Sequence, residues 1–308
     1  MLAVLGWGII MKNNKIKSFS SLHPATLMVY FISMIVIAMF SVNPVILTIS
    51  LFGGLLFFAS MNGIRAFLSD LGFYISMFLL ITIINPLFSH NGVTPLFFMN
   101  GNPVTLEAIL YGADIALMLV GVIYWCKCYS IIMTTDKFLF LFGKAVPKLS
   151  LVFSMALRFL PLFHQKLKEI RSVQKSIGLY QEKGFVNKIT GELKIFSSLI
   201  SWSLENSVDT ANSMKARGYG LKGRTHFSMY RFKAVDCYFL IATLVLFAVT
   251  LLGMITVVTD FTFYPAITHL TLDISQIIVY SAFFVLSLLP FFTELKEELV
   301  WKYSVSKI

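Results

Sequence analysis

Apolar residues run without a charged side chain from Lys17 to Arg65, and Asn43-Pro44 interrupts that run near its middle. A helix crossing the hydrocarbon core needs about 20 residues. The run is therefore too long for one span and predicts two, at about 25–41 and 45–61, joined by a tight turn with Asn-Pro chemistry. Further apolar runs predict spans at about 71–88 and 108–124, separated by a loop (89–106) rich in Gly, Asn and Pro. Two more spans follow, at about 237–259 and 274–292, before a short charged tail. The pattern changes between them. Residues 134–233 alternate apolar and charged positions at helical spacing and carry 17 Lys/Arg against six Asp/Glu. The expected fold is an all-α integral membrane protein of about six transmembrane helices plus a pair of long amphipathic helices. Its parts are an N-terminal membrane part (1–133), the amphipathic region (134–233) and a C-terminal membrane part (234–308).

Two stripes define the amphipathic pair. Phe163, Leu167, Ile170, Val173, Ile177 and Tyr180 recur at steps of three or four, with Lys166, Lys168, Glu169, Arg171, Ser172 and Lys175 on the other faces. Leu193, Phe196, Ile200, Leu204, Val208, Ala211 and Met214 form the second, opposite Lys194, Ser201, Glu205, Asp209 and Asn212. Each pattern predicts a long helix with one buried face. Pro161 is expected to kink or restart the first, and Gly178 and Gly218 suit left-handed C-terminal caps. Arg217 falls in the last turn, where a cation favours the negative end of the helix dipole. It is also placed to form a bidentate pair with a partner's carboxylate. Leu149, Leu151, Val152, Phe153, Phe159, Leu160, Phe163, Ile195, Phe196, Leu199 and Trp202 are too many apolar groups for a wet helix pair. Either the two helices bury them against each other, or part of the surface is an interface.

Composition agrees with lipid as solvent. The 308 residues are 57% hydrophobic and 13% charged, against about 25% charged in soluble domains. A net charge of +10 would ordinarily raise the question of nucleic acid, but its placement answers it. None of the 25 Lys and Arg residues lies in 42–44, 89–107 or 260–273. Positive residues are retained on the cytoplasmic side, so both termini and the amphipathic region are expected on the cytoplasmic side of the cell membrane, with those three loops outside. Cys126, Cys128 and Cys237 do not complete a zinc site and read as free thiols in a reducing compartment. The segment Met1–Met11 is too short to span, and Met11, followed by Lys12, Lys15 and Lys17, is an equally natural beginning.

The stretch Val208-Asp209-Thr210-Ala211-Asn212-Ser213-Met214-Lys215-Ala216-Arg217-Gly218-Tyr219-Gly220 resembles the second Ala-Arg-Gly motif of the transmembrane T component of energy-coupling factor transporters, the cobalt- and vitamin-transporter scaffold family. Met155-Ala156-Leu157-Arg158-Phe159-Leu160-Pro161-Leu162 is similar to that family's entry into its first coupling helix. Asn85-Pro86-Leu87-Phe88-Ser89-His90 and Leu22-His23-Pro24 resemble its N-terminal half. The resemblance implies a prokaryotic scaffold subunit without catalytic residues, cofactor or metal of its own. Two cytoplasmic ABC-type ATPases would bind and hydrolyse ATP, and a small membrane subunit, the S component, would capture the vitamin or metal ion. ATPase docking would fall to Ala216, Arg217 and Gly218 at one helix tip. At the other tip the chain departs from the family, with Ser176-Ile177-Gly178 where the first Ala-Arg-Gly is expected. Docking there would rest on Arg171, Lys175 or apolar contact, and the asymmetry implies two different ATPases. Phe153, Phe159, Phe163, Phe196, Leu199 and Trp202 are the candidates for receiving the S component.

Three rival readings are weighed against this one. A membrane enzyme would need paired carboxylates or a metal-binding set, but His23, His90, His164, His226 and His269 are scattered, and no Walker A loop occurs. A secondary transporter or channel would place ionisable groups at mid-membrane in repeated architecture. Asp114 alone lies well inside a span, with Glu107 at its outer end, and Asp114 can hydrogen-bond within the bundle or face a water-filled cavity. The permease of another ATP-driven importer would dock its ATPases by a short helix between spans, rather than by a region of about 100 residues. Which solute is moved is not written in the chain, because the resemblance places that choice in another subunit.

Overall fold

The computed structural model describes residues 19–89, 91–99, 102–178, 185–221, 230–256, 261–265, 267–268 and 273–305. His90, Tyr180, His226, Met229, His269 and both candidate start methionines lie outside them. After a 3-10 turn at Phe19–Ser21, the elements are α1 (Pro24–Phe40), α2 (Pro44–Asn62), α3 (Ile64–Phe88), β1 (Pro95–Met99), β2 (Asn102–Thr105), α4 (Leu106–Ile132), α5 (Thr135–Ala145), α6 (Pro147–Ser176), α7 (Phe185–Ala216), α8 (Ala234–Ile255) and α9 (Ile274–Val305). They fall into two compact units. One comprises Met1–Thr135 with Tyr230–Ile308, the other Asp136–Met229.

Local chemistry sets the helix starts. His23 Nδ1 accepts from the Ala25 amide (3.2 Å) and Asn43 Oδ1 from the Val45 amide (3.0 Å). In both cases proline follows as the first helical residue, where its missing N–H costs nothing. Asn43-Pro44 is thus a helix cap as well as a turn. Among the described residues five helices are long and apolar enough to cross a membrane: α2, α3, α4, α8 and the Ile274–Lys296 part of α9. With 17 residues, α1 reaches about 25 Å at 1.5 Å per residue.

Several helices outrun their expected apolar cores. Helix α3 begins at Ile64 rather than near Leu71, α4 continues to Ile132, and α9 continues through Pro290 to Val305. Charge does not end a helix once it has left the hydrocarbon, and the charged extensions hold partners there. Lys127 of α4 pairs with Asp70 of α3 and lies over the rings of Phe58 (4.8 Å) and Tyr74 (5.4 Å).

In the first unit α4 is the hub, packed against α1, α2 and α3. Helices α1, α4, α2, α9 and α8 close a ring, while α3 leans mainly on α4, with Tyr74 and Pro86 its buried residues. The core is aromatic. Phe19 makes edge contacts with Tyr30, Phe31, Phe57 and Phe239 at 5.4–6.1 Å. Trp125 sits beside Tyr30, Phe31 and Phe57, and its indole N–H donates to the Ser50 carbonyl and hydroxyl, each at 3.1 Å.

Without a hydrophobic drive between helices in lipid, close backbone approach takes over. At Gly53 a Cβ would lie 2.8 Å from Ser287 Cβ of α9. The pair Asn85-Pro86 has a similar logic. Proline lacks the N–H that would bond the Thr82 carbonyl, and that carbonyl lies against α4, where a Cβ on Gly112 would come within 2.9 Å. Asn85 Nδ2 donates to the Ala108 carbonyl of α4 at 2.7 Å. Asp114 of α4 is buried, and its Oδ1 has no hydrogen-bond partner among the described residues.

Besides helix packing, a carboxylate ties the N- and C-terminal membrane parts together. Asp236, in the first turn of α8, accepts from the backbone N–H of His23 and of Lys233, each at 2.8 Å. The His23 ring stands edge-on to Phe232 at 5.2 Å.

Candidate functional site: the amphipathic helix pair

Helix α6 has 30 residues and α7 has 32, each therefore about 45–50 Å long. The helix does not restart at Pro161: α6 runs as one element through it. Proline forfeits one backbone bond but need not end a helix whose neighbouring turns remain paired.

Two contacts set the sense of the pair. Phe163 meets Trp202 edge-on at 5.8 Å, and Arg171 donates to Glu192 at 2.8 Å. Numbers rise along α6 as they fall along α7, so the helices run antiparallel. Measured from the Phe163–Trp202 contact, each C-terminus lies about 20 Å away along its own helix, in opposite directions. The two tips thus sit at opposite ends of the pair, up to about 40 Å apart.

Both tips end on glycine in the left-handed region, Gly178 at φ +91° and Gly218 at φ +76°. At α7 the Tyr219 amide bonds the Met214 carbonyl (3.0 Å) and the Gly218 amide the Lys215 carbonyl (2.9 Å), a full Schellman cap. At α6 the Gly178 amide bonds the Lys175 carbonyl at 3.1 Å. Backbone bonds close each cap, and the side chains of Ala216, Arg217, Ser176 and Ile177 stay exposed, with Ile177 at 74%. Arg171 is differently placed, since its guanidinium is drawn to Glu192. With both side chains about half exposed, such a pair is worth at most about 1 kcal/mol.

The expectation of one buried face per helix needs correcting for both: α6 has no fully buried residue among those described, with Val173 and Ile177 of its stripe exposed, and α7 buries a different face. Its buried residues are Gly191 and Ile195, with Leu199 and Trp202 half-buried on the same side. The expected stripe of Leu193, Phe196, Ile200, Leu204 and Val208 is exposed. At about 100° per residue the two sets lie on opposite sides of the helix. Apolar periodicity identifies a face that avoids water, but not what covers it. On α6, Phe163, Leu167 and Ile170 are half-buried, while Leu149, Val152, Phe153 and Leu160 are exposed. The six aromatic and aliphatic candidates therefore divide. Phe163 and Trp202 meet across the pair, and Phe159 stacks on Phe163 at 5.9 Å. Phe153 and Phe196 point outward, each 58% exposed, and Leu199 is half-buried. Of this α7 face the sequence reading named Ile195, Leu199 and Trp202 among groups the pair could bury, but it missed Gly191, whose signal is a glycine one turn before Ile195.

Fold and site together define a polytopic helical membrane protein carrying a long antiparallel pair of amphipathic helices with exposed, glycine-capped ends. The profile of the cobalt transport protein family (CbiQ) matches residues 16–229, and the chain belongs to that family. It is also similar to proteins named energy-coupling factor transporter transmembrane protein EcfT. That of Listeria innocua is 33% identical over 103 residues, 33% of this chain and 39% of the relative. The protein of Lactobacillus helveticus is 31% identical over 98 residues, 31% and 35% of the two chains. With that of Staphylococcus aureus the identity is 28% over 156 residues, 47% and 58%. The matched stretches thus span between about a third and somewhat more than half of those relatives' length.

Proposed function

We propose that this chain is the transmembrane coupling subunit of an energy-coupling factor importer, carrying motion from two cytoplasmic ATPases to a small solute-capturing membrane subunit. The observation that carries this reading is the α7 surface: a long apolar stripe turned away from α6, ending at an exposed Arg217. A helix pair that merely buried its own apolar faces would need neither. In this reading the stripe at Phe196, with Phe153 on α6, receives the capture subunit, while the two helix tips seat in ATPase grooves. Tips up to about 40 Å apart suit two separate ATPase subunits, one at each end. ATP binding and hydrolysis belong to those partners, and solute choice to the capture subunit, of a vitamin or a metal ion.

Isolation of the complex in mild detergent, with mass identification of every partner, tests this directly. Two ATPases and one small membrane protein are expected. Recovery of the chain alone, or with an unrelated partner, would sink the reading.

Six spans with both termini cytoplasmic are part of the same proposal, resting on the complete inward bias of Lys and Arg. Cysteines placed at the exposed residues Asn91 and Thr262 should react with an impermeant label in intact cells, whereas one at Asp136 should not. Failure at both outer positions would overturn the topology.

The tips also differ in chemistry. Arg217 offers a charge, whereas Ile177 offers an aliphatic side chain whose full burial contributes about 1.5–3 kcal/mol. Ile177→Asp is therefore expected to release one ATPase and keep the other. Equal loss of both would refute one tip per partner.

A further inference from the structure

The hairpin β1–β2, between α3 and α4, is apolar on both of its sides. It pairs Phe97 with Val104 and Phe98 with Pro103. Val93, Leu96, Phe97 and Phe98 are all more than half exposed, and residues 91–99 carry no charge. Successive strand residues point to opposite faces, so Phe97 and Phe98 leave both faces apolar. A protein partner seated on one face would leave the other in water.

Its root is tightly held. Thr94 donates through its hydroxyl to Glu107 (2.8 Å), Thr105 donates to the Asn91 carbonyl (2.6 Å), and the Leu106 amide donates to the Thr94 carbonyl (3.1 Å). A Cβ on Gly92 would fall 2.7 Å from both Glu107 and Thr105. The Thr105 hydroxyl also caps α4, accepting from the Ala108 amide, so β2 runs into α4 without a linker. The hairpin is therefore a fixed extension of α4, and Leu87 and Phe88 at the end of α3 are exposed as well.

We infer that this hairpin is a membrane anchor: Leu96, Phe97 and Phe98 lie in the interfacial zone of the leaflet where α3 ends and α4 begins. Two observations select lipid over a protein partner, the apolar character of both faces and the direct passage of β2 into α4, a helix long and apolar enough to cross a membrane. Phe and Leu side chains of surface-lying segments bury at the headgroup–acyl boundary. The placement fixes the height and tilt of α4, the hub of the bundle, against the bilayer. It requires only that α3 and α4 span, and rests neither on the transport reading nor on which side the hairpin faces.

The test is an added tryptophan, Phe98→Trp or Phe97→Trp, in the full chain reconstituted into vesicles of phosphatidylcholine and phosphatidylglycerol. The difference from the unaltered protein isolates the new emission. Lipids brominated near the headgroup should quench that emission by roughly half or more at both positions, as expected for an interfacial side chain. Asn91→Trp should be quenched far less. Emission at the water-exposed wavelength with ready quenching by iodide, at both 97 and 98, would overturn the anchor. So would protection that appears only when partner subunits are present, which would make the hairpin a protein contact. Both phenylalanines are more than half exposed, so neither change disturbs the core, and normal elution and helical content confirm that.

Discussion

Replacing Arg217 by alanine is expected to leave the protein folded in the membrane while weakening retention of one ATPase by about 2–5 kcal/mol, roughly 30-fold to several thousand-fold. The cap explains why folding should survive. Gly218, Lys215, Met214 and Tyr219 close it through backbone groups, and the exposed guanidinium makes no hydrogen bond or ion pair with any described residue. Loss of its interaction with the helix dipole costs about 0.3–1 kcal/mol. The large effect appears only at the interface, where a carboxylate buried by docking would lose its bidentate partner. Arg217→Lys, which keeps charge but not the planar fork, should fall between. ATPase retention by pull-down and solute uptake in cells are the measurements. Normal uptake and full retention in a well-expressed Arg217→Ala protein would remove this residue from docking.

The second large effect is in the core. Trp125→Ala is expected to cost about 3–5 kcal/mol, read as a fall in the thermal unfolding midpoint in detergent. Trp125 is fully buried where α1, α2 and α4 converge and is the donor to both oxygens of Ser50. Alanine would leave a cavity beside Tyr30, Phe31 and Phe57 and strand those acceptors. Trp125→Phe keeps most of the packing but still removes the donor, so about 1–3 kcal/mol is expected. An alanine variant within about 1 kcal/mol of the parent would mean that the aromatic cluster collapses around the gap rather than holding its shape.

How much of this was legible beforehand differs by feature. Helix existence was legible wherever apolar runs exceeded the bilayer, and Gly178 and Gly218 end their helices as their lack of a Cβ suggests. Helix ends near charges were not, because Arg65, Asp70 and Lys127 lie outside the apolar windows yet inside the helices. Arg171 has a partner that helical spacing did not reveal, since Glu192, 21 residues on, accepts from its guanidinium. The role of Asp236 could not be read at all. Its partner is the backbone N–H of His23, 213 residues away, and a backbone donor leaves no mark in a sequence.

The sequence by itself determined that the protein is helical, that lipid is its solvent, where its positive charge concentrates, and where α6 and α7 stop. These follow from local properties: run length, charge placement and the conformational freedom of glycine. Only the tertiary structure decided which face of α7 meets α6. An apolar stripe states a preference for leaving water, and lipid, a neighbouring helix or a partner subunit satisfies it equally. Geometry breaks that tie. Gly191 and Ile195, with Trp202 beside them, let α7 approach α6 on one side, leaving Phe196, Ile200, Leu204 and Val208 uncovered on the other.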